Sequence, residues 1–279
     1  MKMLKAFFFV TLLIIFLYLQ NNLLKITRIK LSFDKLPKSF NGYKIVHLSD
    51  LHGKTFGRSN NKLISTINKE KPDLIVITGD LVDVRYFNDN ETINFLDQIK
   101  QIAPIYYVTG NHELAKGRFT QLEKILKKKG VKILRNSTDM IKKNTEVIAL
   151  IGIDDPILTD VTDNNINRKL LSMKLEKLLK STQQSTFKVL LSHRPEQFSL
   201  YAEYNIDLTF TGHAHGGQIR LPFTDGLIAP NQGFLPKYTS GKYTLNNSTM
   251  IVSRGLGNGS IPIRLFNRPE VIVTTLYRR

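Results

Sequence analysis

The stretch "YKIVHLSD" (residues 43–50) is matched in kind by "PDLIVITGD" (72–80), each a short apolar run that ends on an aspartate. Both are rich in Val and Ile and bounded by turn residues, as strands buried on both faces are. The same form returns in "PIYYVTGN" (104–111), "VIALIGIDD" (147–155), "FKVLLSH" (187–193) and "IDLTFTGH" (206–213). Between these runs lie segments with helical spacing of apolar residues: "NNKLISTINKE" (60–70), "ETINFLDQIKQ" (91–101), "FTQLEKILKKKG" (119–130) and "NRKLLSMKLEKLLKS" (167–181). The alternation predicts an α/β fold without an internal linker. Upstream, "RIKLSF" (28–33) alternates as a half-buried strand does, and "DKLPKSFNG" (34–42) supplies the turn. After Gly216 the pattern changes to short strands and turns, with "TMIVSRG" (249–255) and "EVIVTTLY" (270–277) the clearest.

The carboxyl ends of the apolar runs carry the chemistry. "SDLH" offers Asp50 and His52, "GDLVD" offers Asp80 and Asp83, and "GNHE" offers Asn111, His112 and Glu113. "SHRPE" adds His193, and "GHAH" adds His213 and His215, so five of the six histidines stand at such ends. Open α/β sheets bind their ligands in these loops. Aspartate or asparagine beside glycine is ordinary turn chemistry taken singly, but turn chemistry gives no reason for five strand ends to carry metal-ligand side chains together. Two divalent cations about 3.5 to 4 Å apart need a bridging carboxylate, neutral imidazoles, oxygen donors and open positions for water and substrate. In "GHAH" the i, i+2 spacing, if extended, points both imidazoles to one side, where they could face neighbouring ions. His47, inside a strand, reads as a structural histidine.

The chain has 279 residues, a formal charge of +17 and no cysteine. Any metal is therefore held by nitrogen and oxygen, and the charge favours an anionic partner without choosing among phosphorylated substrate, membrane surface and nucleic acid. From Ala6 to Leu19, "AFFFVTLLIIFLYL" is uncharged and is followed by no small-x-small cleavage site. Extended to Leu24, it approaches the roughly 30 Å of a hydrocarbon core. Residues 1–24 thus read as a single-pass signal anchor, 25–41 as a first strand and connector, and 42–279 as the catalytic domain. A cleaved signal peptide has an apolar run of similar length and is the alternative. The lysines and arginines flanking the run balance, so orientation stays open, and an extracytoplasmic catalytic domain is the preferred expectation.

The ordered set D-x-H, G-D-x-x-D, G-N-H-E, a lone H and G-H-x-H resembles the calcineurin-like metallophosphoesterases, from Tyr43 to the chain's end. The apolar N-terminus, "GHAHGGQIRLP" and "RPEVIVTTLY" resemble the membrane-anchored bacterial branch that includes the YaeI-type and YkuE-type phosphodiesterases. The resemblance implies a four-layer sandwich, two packed mixed β-sheets flanked by helices. It further implies one metal on Asp50, His52 and His215, a second on Asn111, His193 and His213, and Asp80 bridging them. His112 would face the scissile phosphate as an acid or donor, Asp83 would orient it, and Glu113 would serve structurally. A metal-bridging hydroxide would then attack phosphorus in line with the leaving group. The mixed donors suit Mn, Fe, Zn or Co, with manganese preferred.

The expected substrate is a phosphodiester or pyrophosphate in a lipid or glycolipid precursor, as some relatives cut the pyrophosphate of UDP-diacylglucosamine. "RGLGNGSIPIR" (254–264) reads either as a loop or as a pocket element offering Arg254 and Arg264 to an anionic substrate. A phosphomonoesterase would share every metal ligand. A nuclease would want a basic groove with stacking aromatics and gain nothing from an anchor, so no nucleic-acid partner is expected. A non-catalytic scaffold would show eroded ligands, and none is missing here.

Overall fold

In the third strand of the computed structural model, Ile75 and Ile77 point one way and Val76 the other, and all three side chains are buried. That double burial is why the run is apolar without interruption. The structure describes residues 1–83, 89–115, 119–156, 164–180, 182–221, 225–259 and 263–279.

In chain order, α1 (Lys2–Asn22) leads into β1 (Lys25–Phe33) and β2 (Tyr43–Leu48). Then follow α2 (Asn61–Glu70), β3 (Leu74–Thr78), α3 (Asp89–Ile99), β4 (Ile105–Val108), the one-turn α4 (Asn111–Leu114), α5 (Phe119–Lys128) and β5 (Lys132–Ile133). The second half runs β6 (Ser137–Lys143), β7 (Glu146–Gly152), α6 (Asn164–Leu179), β8 (Lys188–Leu191), α7 (Phe198–Glu203) and β9 (Leu208–Thr211). It closes with the small pair β10 (Ile228–Ala229) and β11 (Gly233–Phe234), then β12 (Gly241–Leu245), β13 (Ser248–Val252) and β14 (Glu270–Arg278).

Two six-stranded mixed sheets result, in the orders β1-β14-β2-β3-β4-β5 and β12-β13-β9-β8-β7-β6. Strands β2 to β5 are mutually parallel, as are β7, β8, β9 and β13. The sheets face each other across a core that includes Ile45, Val76, Val108, Leu150, Val189, Phe210, Ile251 and Ile272. The outer face of the first sheet packs on α2, α3 and α5 through residues such as Leu63, Ile67, Phe95 and Leu122. That of the second packs on α6 and α7 through Leu171, Leu175, Phe198 and Tyr201. Fully burying each such Leu, Ile or Phe contributes about 1.5–3 kcal/mol. The expected four-layer order of helices, sheet, sheet, helices is the observed one.

The 25–41 segment, read as a first strand and connector, opens with an edge strand: β1 pairs parallel with β14 from Lys25↔Glu270 to Phe33↔Arg278. The C-terminal strand is inserted between β1 and β2, antiparallel to β2, a long-range pairing that no local pattern announces. The anchor reading finds α1 exposed and apolar, and it is the one helix among the described residues long and apolar enough to cross a membrane. His47 lies between the sheets, with Nε2 2.8 Å from the Thr78 hydroxyl and its ring edge-on to Phe210.

Candidate metal centre

Strands β2, β3, β4, β8 and β9 end at one edge of the sandwich, and the chain turns sharply there. Asp50, His52, Asp80, His213 and His215 all hold positive φ, between 47° and 64°. Each such non-glycine residue costs about 1–2 kcal/mol, a strain that persists because the surrounding loops lock it. Close approach is secured by glycines. A Cβ on Gly110 would stand 2.2 Å from Asp80 Oδ1, and one on Gly212 would stand 1.9 Å from Ser49 Oγ and 2.4 Å from Asp50 Oδ2.

Two adjoining pockets of donors form. In the first, His215 Nε2 stands 3.2 Å from His52 Nε2 and 3.4 Å from Asp50 Oδ1. In the second, His193 Nε2 stands 3.1 Å from His213 Nδ1, 3.2 Å from Asn111 Oδ1 and 3.4 Å from Asp80 Oδ2. Asp80 Oδ2 also lies 3.7 Å from His52 Nε2, so this one oxygen faces both pockets. Asp50–His52–His215, His52–Asp80–His112 and Asp80–His193–His213 each bring three ligand atoms within 4.8 Å of one another.

The "GHAH" segment is not extended. His213 and His215 are left-handed and His215 begins a 3₁₀ turn to Gly217. The two imidazoles still reach different pockets, because the turn rather than a strand's pleat aims them. Neighbouring groups fix the rings. Nδ1 of His193 donates to the Thr78 carbonyl at 2.7 Å, which leaves Nε2 for a ligand. His213 turns Nε2 outward, 2.9 Å from Asn231 Oδ1 and 2.8 Å from an Arg194 nitrogen. The His213 amide donates to the Asp50 carboxylate at 3.1 Å, and the His112 amide donates to Asp80 Oδ1 at 2.9 Å.

Glu113 takes the structural part expected of it. Buried completely, its carboxylate accepts the backbone N–H groups of Asp80 (2.8 Å), Leu81 (2.6 Å), Val82 (3.3 Å) and Gly110 (2.8 Å). Asp83 Oδ2 lies 4.0 Å from Nδ1 of His52, and the half-buried His112 ring is edge-on to His52 at 4.5 Å.

Burial and charge set the protonation of these groups. Burial lowers His52 to about 4 and holds His213 and His215 well below the usual histidine range, so all three imidazoles are neutral. Burial opposes charge on His193 as well, but the Asp80 and Asp50 carboxylates raise it to about 10. Burial likewise resists ionisation of Asp80, yet His193, then His52 and His112, keep it well below the carboxylate range. Burial first, with Asp80 adding to it, raises Asp50 to about 6.

Of the two arginines read as pocket or loop elements, Arg264 is the buried one. It is 1% exposed, and its guanidinium donates to the carbonyls of Gly257, Asn267 and Arg254, so it ties a loop together. Arg254 is partly buried and neighbours Glu270, whose carboxylate accepts its backbone N–H at 3.2 Å. Residues 260–262 of the same stretch lie outside the described residues. Sequence reasoning missed the buried Arg194–Asp155 pair, at 2.5 and 2.9 Å, beside His213. Its signals were present, since Arg194 follows His193 and Asp155 ends the β7 run. Asn231, and Asn267, which donates to the His215 carbonyl at 2.7 Å, carried no such signal.

The calcineurin-like phosphoesterase family matches residues 43–217, from β2 through the last of the left-handed histidines. The chain belongs to that family. As a metallophosphoesterase it is a phosphoric ester hydrolase, of a family that uses divalent metal ions. It is 30% identical over 264 residues to the uncharacterized metallophosphoesterase YkuE of Bacillus subtilis strain 168, covering 93% of this chain and 87% of that protein. It is also 30% identical over 260 residues to a transmembrane protein with metallophosphoesterase domain from Danio rerio; this covers 88% of the chain but only 56% of the fish protein. In fold it resembles TT1561 of Thermus thermophilus, with a TM-score of 0.52 at 12% identity over 77% of this phosphoesterase and 91% of that chain.

Proposed function

We propose that this phosphoesterase is a dinuclear enzyme that hydrolyses a phosphodiester or pyrophosphate bond in a membrane-associated, lipid-linked substrate. The observation that carries the dinuclear reading is Asp80 Oδ2, between His193 Nε2 at 3.4 Å and His52 Nε2 at 3.7 Å. The donor set fits two ions. Donors about 2.0–2.1 Å from one tetrahedral ion stand roughly 3.4 Å apart, which is the spacing seen within each pocket. Nδ1 of His52 and of His215 are buried without hydrogen-bond partners.

Asp50, His52 and His215 would hold one ion, Asn111, His193 and His213 the other, with Asp80 shared. Bound there, divalent ions supply an acidified water and polarise phosphoryl oxygen. Nitrogen and oxygen donors without thiolate suit manganese, iron, zinc or cobalt, and manganese is the ion proposed. His112, half-exposed beside His52 and Asp80, would donate a hydrogen bond or proton to a phosphate oxygen. Asp83 would steady the imidazoles of this corner. Helix α1 would anchor the enzyme in the bilayer, its 21 residues spanning about 31 Å, and absence of cysteine suits an extracytoplasmic catalytic domain.

The test is elemental analysis of the purified full-length protein in detergent, beside hydrolysis of bis(p-nitrophenyl) phosphate and p-nitrophenyl phosphate with and without manganese. Two transition-metal ions per chain and preference for the diester are expected. Preference for the monoester would overturn the diesterase reading, and a folded chain that takes up one ion or none would overturn the dinuclear one.

A further inference from the structure

The C-terminal turns of α1 are fastened to the catalytic domain. The Phe16 ring packs against Phe266 at 5.5 Å, and Asn21 Oδ1 accepts the Arg264 amide at 3.1 Å. The Asn21 carbonyl accepts Lys54 Nζ, and Leu24 packs on the outer core of the first sheet. These contacts lead straight to the candidate metal centre. Lys54 is two residues beyond His52, and Phe266 precedes Asn267, whose amide holds the His215 carbonyl. Two residues of chain span at most about 7 Å.

Depth follows from the helix itself. At 1.5 Å per residue Phe16 lies about 9 Å inside the Asn22 end. A helix of this length spanning a hydrocarbon layer of roughly 30 Å therefore carries Phe16 within the apolar zone. Its partner Phe266 cannot stand in bulk water when the helix spans. Phe266 is 47% exposed and Ile263 48%, an apolar pair on the loop against the helix. At the start of β1, Lys25 stands among Arg220, Arg254 and Arg268, where Asp225 lies 2.7 Å from Arg220 and Glu270 3.9 Å from Arg254. A surplus of cations at that level complements lipid phosphates.

We infer that Ile263 and Phe266 sit in the headgroup–acyl boundary of the leaflet that receives the C-terminal half of α1, holding the Asp50–His52–His215 pocket at headgroup level. The docking stands independently of catalysis. Its consequence for substrate, a phosphoester at headgroup depth in the same leaflet, rests on the hydrolase reading above.

The chain has no tryptophan, so single reporters can be placed cleanly. Phe266→Trp, Ile263→Trp and, on the far edge strand β6, Met140→Trp are made in the full-length protein. Each is reconstituted in phosphatidylcholine–phosphatidylglycerol vesicles with phosphatidylcholine brominated at shallow or deep chain positions. Docking about 5–10 Å into the boundary gives blue-shifted emission at 266 and 263, loss of intensity to shallow bromines and protection from iodide, with Met140→Trp showing the reverse. Emission at 266 and 263 that iodide quenches and bromolipid does not would overturn the inference. The two reporters sample the loop separately, so poor folding of one variant leaves the other decisive. Neither readout involves turnover, so loss of the hydrolase reading would leave this result standing, and the converse.

Discussion

Oδ2 of Asp80 stands 3.4 Å from Nε2 of His193, whose other ring nitrogen is committed to the Thr78 carbonyl. The ring can neither flip nor retreat, so the carboxylate and imidazole present fixed donors to a shared point. Asp80→Ala is expected to cost both pockets a ligand. Metal content should fall from two ions towards none, and kcat/KM by more than the about 10–100-fold typical of losing a mere supporting partner. Elemental analysis with diester kinetics checks this, and retention of two ions would show that Asp80 does not bridge.

His112→Ala separates two roles that its geometry permits, because the ring lies near both His52 and Asp80. If His112 serves the phosphate, the metals stay and kcat drops by about 10²–10⁴-fold. Loss of an ion from the variant would instead make His112 a ligand.

Glu113→Ala tests a carboxylate that touches no substrate. Removing it strands four backbone N–H groups, each costing about 1–3 kcal/mol when buried and unsatisfied. Against a total stability of about 5–15 kcal/mol, the variant should be largely unfolded or melt far below the parent by circular dichroism. A melting point within a few degrees of the parent would refute the structural role.

His47 is a stability switch distinct from the metal centre. Burial lowers it to about 3, against an ordinary histidine value near 6.5 in the unfolded chain. The unfolded state alone binds the proton between these limits, so the stability it contributes is complete above about pH 6.5 and falls by about 1.4 kcal/mol per unit as pH drops through the window. Thermal melts of the parent and His47→Phe should converge towards pH 4, the parent having the steeper acid loss. Parallel pH profiles would contradict the assignment.

Arg264→Ala should act on folding more than on substrate affinity, since its donors hold the carbonyls of Gly257, Asn267 and Arg254. A fall in melting temperature is expected, with kcat reduced through the displaced Asp50 and His215 loops. A rise in KM alone, at unchanged melting temperature, would restore the substrate-contact reading.

Much of this was legible in the sequence because both faces of the central strands are buried. That burial demands runs such as "LIVIT", and the strand ends bear the chemistry. Asp50, His52, Asp80, Asn111, His193, His213 and His215 could be found one by one as endings of apolar runs, since their placement is a local property of strand and turn. The N-terminal helix was equally plain, being apolar on every side.

What only the tertiary structure decided depends on pairings between distant segments. The insertion of β14 beside β1, the capture of four amides by Glu113, and the tie from Asn267 to His215 link residues whose spacing carries no period. The direction of His213 and His215 was settled by left-handed turns packed against Asp50, and not by strand alternation. The burial of Arg264 is concealed by a sequence of exposed-looking glycines and arginines. Local pattern thus determined which donors exist and where each strand ends, while long-range packing determined which oxygen lies between which nitrogens, because that relation is set by sheet register and loop closure rather than by neighbours in the chain.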